Sequence, residues 1–311
     1  MIGDKMSKNL KGNLMLVLAA FFWGISFVMQ DKAVTYLSPF AINGIRSIIG
    51  TLSLMPLILL KSRKSGIPVL EGTKEKRKAL LISGVLCGVF LCIATNFQQF
   101  GIALYPEDAA ASGRSGFITA LYVVLVPLFS LFSKKKPPVT VWLGVIFATV
   151  GMCLLCLGGG ERGIYSGDLI VLCCAFAFTL QILCIDKYSD TVDGVKLSAL
   201  QFLVCGILSL VLMFIFDTPT IQNVIAAAPY ILYLGIMSCG VAYTLQIIGQ
   251  QYSKNPTVAS ILMSLESVFA ALAGALLIGE SFTLRETFGC IIMFAAIVLS
   301  QLPAPKSHKK A

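Results

Sequence analysis

The sequence predicts an all-α polytopic membrane protein with ten transmembrane helices, arranged as a 5+5 inverted repeat with both termini in the cytoplasm. Three observations predict this fold: the composition, the distribution of basic residues and a repeat of short motifs. Of the 311 residues, 57% are hydrophobic and only 13% are charged, whereas soluble domains carry about 25% charged residues. This composition excludes a soluble enzyme, a secreted disulfide-rich module and a disordered protein.

The apolar residues occur in windows of about 20, the length that crosses the hydrocarbon core of a bilayer. Short connections separate the windows, and many of them contain Gly or Pro, such as Ser38-Pro39 and Asn255-Pro256. The predicted spans are 12–31, 39–60, 79–103, 109–132, 138–158, 167–186, 196–216, 228–250, 256–279 and 286–303. The first repeat is therefore 12–158 and the second is 166–303, with basic cytoplasmic tails at 1–11 and 304–311.

The basic residues alternate with the spans. With the N-terminus inside, 19 of the 24 Lys and Arg residues fall in cytoplasmic loops or tails, and only Lys32, Arg162 and Arg285 fall outside. This is the positive-inside pattern of a protein in the cytoplasmic membrane. It explains the net charge of +9 without nucleic acid as a partner.

Metal and cofactor chemistry find little support in the sequence. All ten cysteines fall in predicted spans, where Cys acts as a small apolar residue, and the only histidine, His308, lies in the basic tail. We therefore expect no metal site and no cofactor. The expected partners are the lipid bilayer and a small-molecule substrate, in a monomer or homodimer.

The two halves resemble each other at matched positions. Four pairs show a constant spacing: Gly12 with Gly167 and Asp31 with Asp186 at 155 residues, and Gln98 with Gln246 and Gly101 with Gly249 at 148. Because each half holds an odd number of helices, the second half enters the membrane from the opposite side. Inverted repeats of this kind are typical of secondary transporters, whose substrate site lies near the midplane between the halves.

Several motifs carry a family resemblance. They are Phe22-Trp-Gly-Ile-Ser-Phe-Val28, Arg46 within Phe40-Ala-Ile-Asn-Gly-Ile-Arg46, Gly116-Phe-Ile-Thr-Ala-Leu-Tyr-Val-Val-Leu-Val-Pro127, and Leu265-Glu-Ser-Val-Phe-Ala-Ala-Leu272 followed by Gly279-Glu280. In this order they resemble the EamA-type carriers of the drug/metabolite transporter superfamily, over about 12–303. The resemblance implies a carrier of small metabolites, often an exporter of amino acids. Nucleotide sugars, organic anions and drugs are the alternative substrates.

The sequence departs from the superfamily at two places. Ser267 stands where many relatives have proline, so the ninth helix is expected to be straighter than theirs. The first span, Leu16-Val-Leu-Ala-Ala-Phe-Phe-Trp23, has no acid at the place where small multidrug exporters carry one. Their proton/drug exchange mechanism is therefore not carried over.

Polar residues inside the spans are the candidates for substrate contact, because polar side chains avoid lipid and face the bundle interior. In the fourth span Ser112, Ser115, Thr119 and Tyr122 share a face, and Cys239, Tyr243, Gln246 and Gln250 do so in the eighth. The alternative is that the hydroxyls bond their own helices and the amides join helices together. The candidates are Trp23, Ser26, Arg46, Asn96, Gln98, Arg114, Ser115, Thr119, Tyr122, Gln181, Tyr243 and Gln246.

Three charged residues inside the spans are the strongest functional candidates, because inserting each one at the middle of a membrane helix costs about 2.5–3.5 kcal/mol of free energy. They are Arg46, Arg114 and Glu266. One hypothesis is that an arginine holds a substrate carboxylate while Glu266 binds an ammonium group or carries the coupling proton. The other is a salt bridge from Glu266 to an arginine that locks the two halves together.

The preferred function is therefore a secondary-active carrier, and the chain is not expected to be an enzyme. A primary pump would need a phosphate-binding loop of the Gly-x-x-x-x-Gly-Lys-Ser/Thr type, which the sequence lacks. An intramembrane enzyme would need a nucleophile with a base or a set of metal ligands. A channel and a non-transporting membrane scaffold are the less favoured alternatives.

Overall fold

The computed structural model is helical throughout the part that it describes, which is residues 2–65, 73–106, 111–131, 137, 139–156, 165–253, 255–278 and 284–301. The helices are α1 Ile2–Ala33, α2 Pro39–Ser65, α3 Lys74–Ala103, α4 Ala111–Thr119, α5 Tyr122–Ser130, α6 Val139–Cys156, α7 Ser166–Tyr188, α8 Gly194–Phe216, α9 Ile221–Tyr233, a π-helix Leu234–Tyr243, α10 Thr244–Ser253, α11 Pro256–Met263, α12 Glu266–Ile278 and α13 Leu284–Gln301.

Within the described residues, eight helical stretches are long and apolar enough to cross a bilayer, so the protein is a polytopic membrane protein. They are Lys8–Ala33, Pro39–Arg63, Lys74–Ala103, Ala111–Ser130, Ser166–Tyr188, Gly194–Phe216, Ile221–Ser253 and Pro256–Leu277. The predicted fifth and tenth spans coincide with α6 and α13, and the described apolar stretch of α6, Val139–Gly151, is shorter. The count of ten spans stays a prediction.

The stretch Ile221–Ser253, which corresponds to the predicted eighth span 228–250, starts earlier than the sequence suggested. Helix α9 begins at Ile221 rather than at 228, because the Thr220 hydroxyl accepts a hydrogen bond from the Asn223 backbone N–H at 3.3 Å and caps the helix. The polar residues Gln222 and Asn223 lower the local hydropathy. A hydropathy window therefore misses this first turn.

The two halves meet along α2 and α8, which pack against each other. At one end of this pair the Lys61 ammonium group forms an ion pair with Asp193, the residue that caps α8 through the backbone N–H groups of Val195 and Lys196. Burial alone would raise the pKa of Asp193, but Lys61 and the two N–H groups outweigh it and hold the pKa below its usual range.

Glycines bring helices of opposite halves into backbone contact at two matched crossings. A Cβ atom on Gly12 would lie 2.9 Å from the Gly249 carbonyl oxygen, and one on Gly167 would lie 2.7 Å from the Gly101 carbonyl oxygen. These four glycines are the ones that the sequence repeat pairs. The crossing of α1 with α10 therefore has its counterpart in the crossing of α7 with α3, and each crossing joins the two halves.

Two helices are interrupted at matched places. The chain turns at Ala120–Leu121 between α4 and α5, and again at Ser264–Leu265 between α11 and α12, 144 residues later. The ninth span is therefore not one continuous α-helix; that it is straighter than in relatives with proline in place of Ser267 stays a prediction.

Serines make additional hydrogen bonds at the second interruption. The backbone N–H of Ser267 bonds the carbonyl of Ser264 at 3.2 Å, an i to i−3 bond that tightens the turn. The hydroxyl of Ser267 donates to the same Ser264 carbonyl, and that of Ser264 donates to the Ile261 carbonyl. Such bonds compete with the regular helical pattern.

The crossing of α3 and α7 gives a stability prediction. Gly167→Ala places a methyl group against the Gly101 backbone, which cannot move aside, and we expect it to lower the free energy of unfolding by about 1–3 kcal/mol. The control is Gly113→Ala, where an added Cβ meets nothing within 4 Å. Thermal unfolding of the two purified variants in detergent measures the difference, and equal midpoints would contradict the close crossing.

Candidate functional site

One interior cavity gathers polar side chains from both halves. Its volume is about 30 Å³, room for a few water molecules, each of which needs about 10–15 Å³. The interrupted helices and the π-helix all reach its wall. The lining residues are Trp23, Ser26, Phe27, Gln30, Arg46, Gln98, Thr119, Tyr122, Phe178, Gln181, Ile182, Ser238, Tyr243, Gln246, Met263 and Glu266.

Two opposite charges face this cavity and are not neutralised by each other. Arg46 is 3% exposed and Glu266 is 4% exposed. The Nε atom of Arg46 and the Oε1 atom of Glu266 have no hydrogen-bond partner of good geometry among the described residues, although the Tyr122 hydroxyl lies beside the Glu266 carboxylate. A buried charge without a partner is costly, so both atoms are available to a ligand that carries the complementary groups.

The two helix interruptions place matched residues at the cavity. Glu266 is the first residue of α12, and Tyr122, its counterpart 144 residues earlier, is the first residue of α5. Both side chains line the cavity. The N-terminus of a helix carries a partial positive charge from its unpaired N–H groups. Transporters use interrupted helices in this way, with half-helix ends directed at the substrate site.

Amide side chains connect three helices beside the cavity. The Nε2 of Gln246 donates to the Oε1 of Gln181 at 3.3 Å, and the Nε2 of Gln181 donates to the Oε1 of Gln201 at 3.2 Å. In the other half the Nε2 of Gln98 donates to the Thr119 hydroxyl at 3.0 Å. The Oε1 of Gln246 has no partner among the described residues. These hydrogen bonds hold the amides in place, and the Gln246 Oε1 atom stays available as an acceptor.

An aromatic cluster forms another part of the wall. The Trp23 and Tyr243 rings meet edge to face with centroids 4.7 Å apart, and Tyr243 meets Phe202 in the same manner at 5.3 Å. The Nε1 of Trp23 and the hydroxyl of Tyr122 have no hydrogen-bond partner among the described residues. The cavity therefore offers hydrogen-bond donors next to apolar surface.

Comparison with known proteins assigns the family. The model of the EamA-like transporter family matches this chain twice, over residues 10–157 and 165–302. The chain belongs to the EamA-like transporter family. The double match shows that it consists of two tandem EamA repeats.

Relatives and a solved structure agree with this membership. An uncharacterized transporter of Archaeoglobus fulgidus is 29% identical over 306 residues, which cover 96% of this chain and 89% of that protein. The uncharacterized transporter YwfM of Bacillus subtilis is 26% identical over 97% of this chain and 98% of its own length. One crystal structure superposes with a TM-score of 0.74 at 16% identity, covering 93% of this chain and 96% of that one, and so shares the fold.

The structure brings most of the predicted site residues of this EamA-like transporter to one cavity. Asn96 is an exception, because its amide accepts from Asn43 at 3.1 Å and donates to Ser209 at 3.0 Å, and so joins α3 to α2 and α8. Ser115 is another, since its hydroxyl donates to the Ala111 and Ser112 carbonyls of its own helix. The Arg114 side chain lies outside the described residues. The cavity wall holds Trp23, Ser26, Arg46, Gln98, Thr119, Tyr122, Gln181, Tyr243, Gln246 and Glu266.

Two polar wall residues, Gln30 and Ser238, are not among the candidates predicted from the sequence. The predicted stripe of the eighth span ran through Cys239, but the structure packs Cys239 against Gly50, whose added Cβ would lie 2.5 Å from the Cys239 Cβ. Ser238 faces the cavity instead because the backbone is π-helical there. The sequence also does not distinguish the apolar wall residues from ordinary core residues; they are Phe27, Phe178, Ile182 and Met263.

The position of Asn96 gives a prediction that separates structure from binding. Asn96→Ala removes the links between α3 and its neighbours and leaves the Asn43 amide short of a partner, so we expect a loss of about 1–3 kcal/mol in the free energy of unfolding. The KM of transport should stay at the wild-type value, because Asn96 is not in the cavity wall. Thermal unfolding and flux on the same preparation test this. A raised KM with unchanged stability would contradict it.

Proposed function

We propose that this chain is a secondary-active carrier of small zwitterions, amino acids or related compounds, that works by alternating access around the cavity. The observation that carries the proposal is that Arg46 and Glu266 open into one cavity with unpartnered Nε and Oε1 atoms. A substrate with a carboxylate and an ammonium group supplies both missing partners. An anion or a cation alone would leave one buried charge unpaired, which is costly.

The two repeats contribute the charges asymmetrically, which supports a substrate with two unlike ends. Arg46 in α2 corresponds at the 155-residue spacing to Gln201 in α8, and Glu266 corresponds at 144 residues to Tyr122. Each half thus has a charge where the other half has a neutral polar side chain. The positive end of the cavity belongs to the first repeat and the negative end to the second.

The topology of the proposal is ten spans in two inverted repeats, 12–158 and 166–303, with both termini inside. The matched glycine crossings and the matched interruptions support the repeat, and the distribution of Lys and Arg supports the orientation. A relative in Salmonella typhimurium is named an uncharacterized inner membrane transporter and is 23% identical over 98% of this chain. We propose the cytoplasmic membrane and, from the family resemblance, export.

Flux in proteoliposomes tests the carrier proposal. A panel of labelled amino acids is compared with matched analogues that lack either the carboxylate (amines) or the amino group (carboxylic acids). We expect saturable, competitor-sensitive flux with counterflow for a class of amino acids, and weaker competition from both sets of analogues. Transport of organic anions or nucleotide sugars only would contradict the zwitterion. Flux without saturation or counterflow would indicate a channel.

The carboxylate in the wall gives a prediction on coupling. Glu266→Gln keeps the size of the side chain but removes its charge and cannot bind or release a proton, so we expect a raised KM, because the ammonium contact is weakened, and flux that no longer responds to an imposed pH gradient. Glu75→Gln, at an exposed position in the first turn of α3, is the matched control and should respond as the wild type does. A full response in Glu266→Gln would exclude this carboxylate as the proton carrier.

A further inference from the structure

The π-helix Leu234–Tyr243 distinguishes the stretch Ile221–Ser253 from its counterpart in the first repeat. Its counterpart, α3, is α-helical over its whole length, Lys74–Ala103. A π-helix has i to i+5 hydrogen bonds, occurs rarely and is frequent at functional sites. This segment also lies at the wall of the cavity, to which it supplies Ser238 and Tyr243.

The π-helical backbone decides which side chains reach the cavity. In an α-helix, residues five apart lie about 140° apart around the axis, because there are about 3.6 residues per turn. Ser238 and Tyr243 are five apart and would therefore face different directions. In a π-helix, with its i to i+5 hydrogen bonds, residues i and i+5 lie roughly on the same side. Ser238 and Tyr243 both line the cavity, whereas Cys239 packs against Gly50 of α2.

Close packing against α2 holds this backbone in place. An added Cβ on Gly235 would lie 2.5 Å from Ile49 Cγ2 and 3.1 Å from the Arg46 carbonyl oxygen, and one on Gly240 would lie 2.4 Å from the Ser53 hydroxyl oxygen. The π-helix therefore lies directly against the turn of α2 that carries Arg46.

The hydroxyl of Ser238 is uncommitted, unlike most buried hydroxyls of this protein. Those of Ser26, Thr95 and Thr179 donate to carbonyls of their own helices. Ser238 is 3% exposed, and its hydroxyl has no hydrogen bond to another described residue. The hydroxyl is therefore open to a ligand or water in the cavity.

We propose that Ser238 is a substrate-binding residue, placed in the wall by the π-helix, and that its hydroxyl binds the same polar end of the substrate as Arg46. This inference rests on the proposed carrier function. It adds a contact that belongs to the second repeat alone, because α3 has no π-turn. In this proposal Arg46 of the first repeat and Ser238 of the second repeat bind the substrate carboxylate from opposite sides.

The first test concerns geometry and does not depend on any substrate. Proteoliposomes are treated with a small water-soluble methanethiosulfonate reagent, and the modified positions are read by peptide mass spectrometry. We expect Ser238→Cys, combined with Cys239→Ala, to be modified at position 238 faster than the wild type is modified at Cys239. Equal rates or a faster reaction at Cys239, as an α-helix would give, overturn the inference. This result stands even if the flux panel finds no amino-acid transport.

The second test concerns binding. For the amino acid that the wild type transports fastest, Ser238→Ala should raise the KM about tenfold, the loss expected for one hydrogen bond to a charged group. Cys239→Ala is the matched control in the same turn and should leave the KM unchanged, because Cys239 faces α2. A KM for Ser238→Ala equal to that of the control overturns the role of the hydroxyl.

Discussion

The hydrocarbon of a bilayer offers no hydrogen-bond partner, and the arrangement of this transporter depends on that constraint. Each unsatisfied polar group costs several kcal/mol in lipid, so the polar side chains of the spans sort into three sets. Hydroxyls such as Thr95 bond their own helix, and amides such as Asn96 join neighbouring helices. A third set, with Arg46 and Glu266, faces an interior cavity and keeps unpartnered atoms there. The third set marks the site because it brings two opposite charges to one cavity.

Close backbone contact is the second requirement, since apolar attraction between helices is weak in lipid and packing must supply the association. Glycine pairs at the α1–α10 and α3–α7 crossings provide this contact at matched places in the two repeats. The interruptions at Ala120–Leu121 and Ser264–Leu265 lie instead at the cavity. Rigid crossings thus surround a wall whose backbone is irregular, an arrangement tolerated at membrane depth only where the backbone is buried in protein or lines a cavity.

Composition and periodicity were sufficient to predict a helical membrane protein and most of the polar cavity residues. The free-energy cost of placing a side chain in lipid depends on the residue type, which the sequence gives directly. Composition and periodicity failed where the backbone departs from the α-helix. The stripe through Cys239 assumed 3.6 residues per turn and so missed Ser238. The turn at Ser264–Leu265 was not predicted either, because no proline or glycine marks it in the sequence. The role of Asn96 as a link between helices could not be predicted from the sequence, because tertiary contacts decide whether an amide faces a cavity or a neighbouring helix.

The central claim is that Arg46 and Glu266 are held apart for a substrate and do not lock the halves together. A double-mutant cycle on the free energy of unfolding, with Arg46→Gln, Glu266→Gln and the double variant in detergent without added substrate, tests it directly. We expect additive effects, with a coupling energy within about 0.5 kcal/mol of zero. A stabilising coupling of several kcal/mol, as a buried ion pair gives, would contradict it.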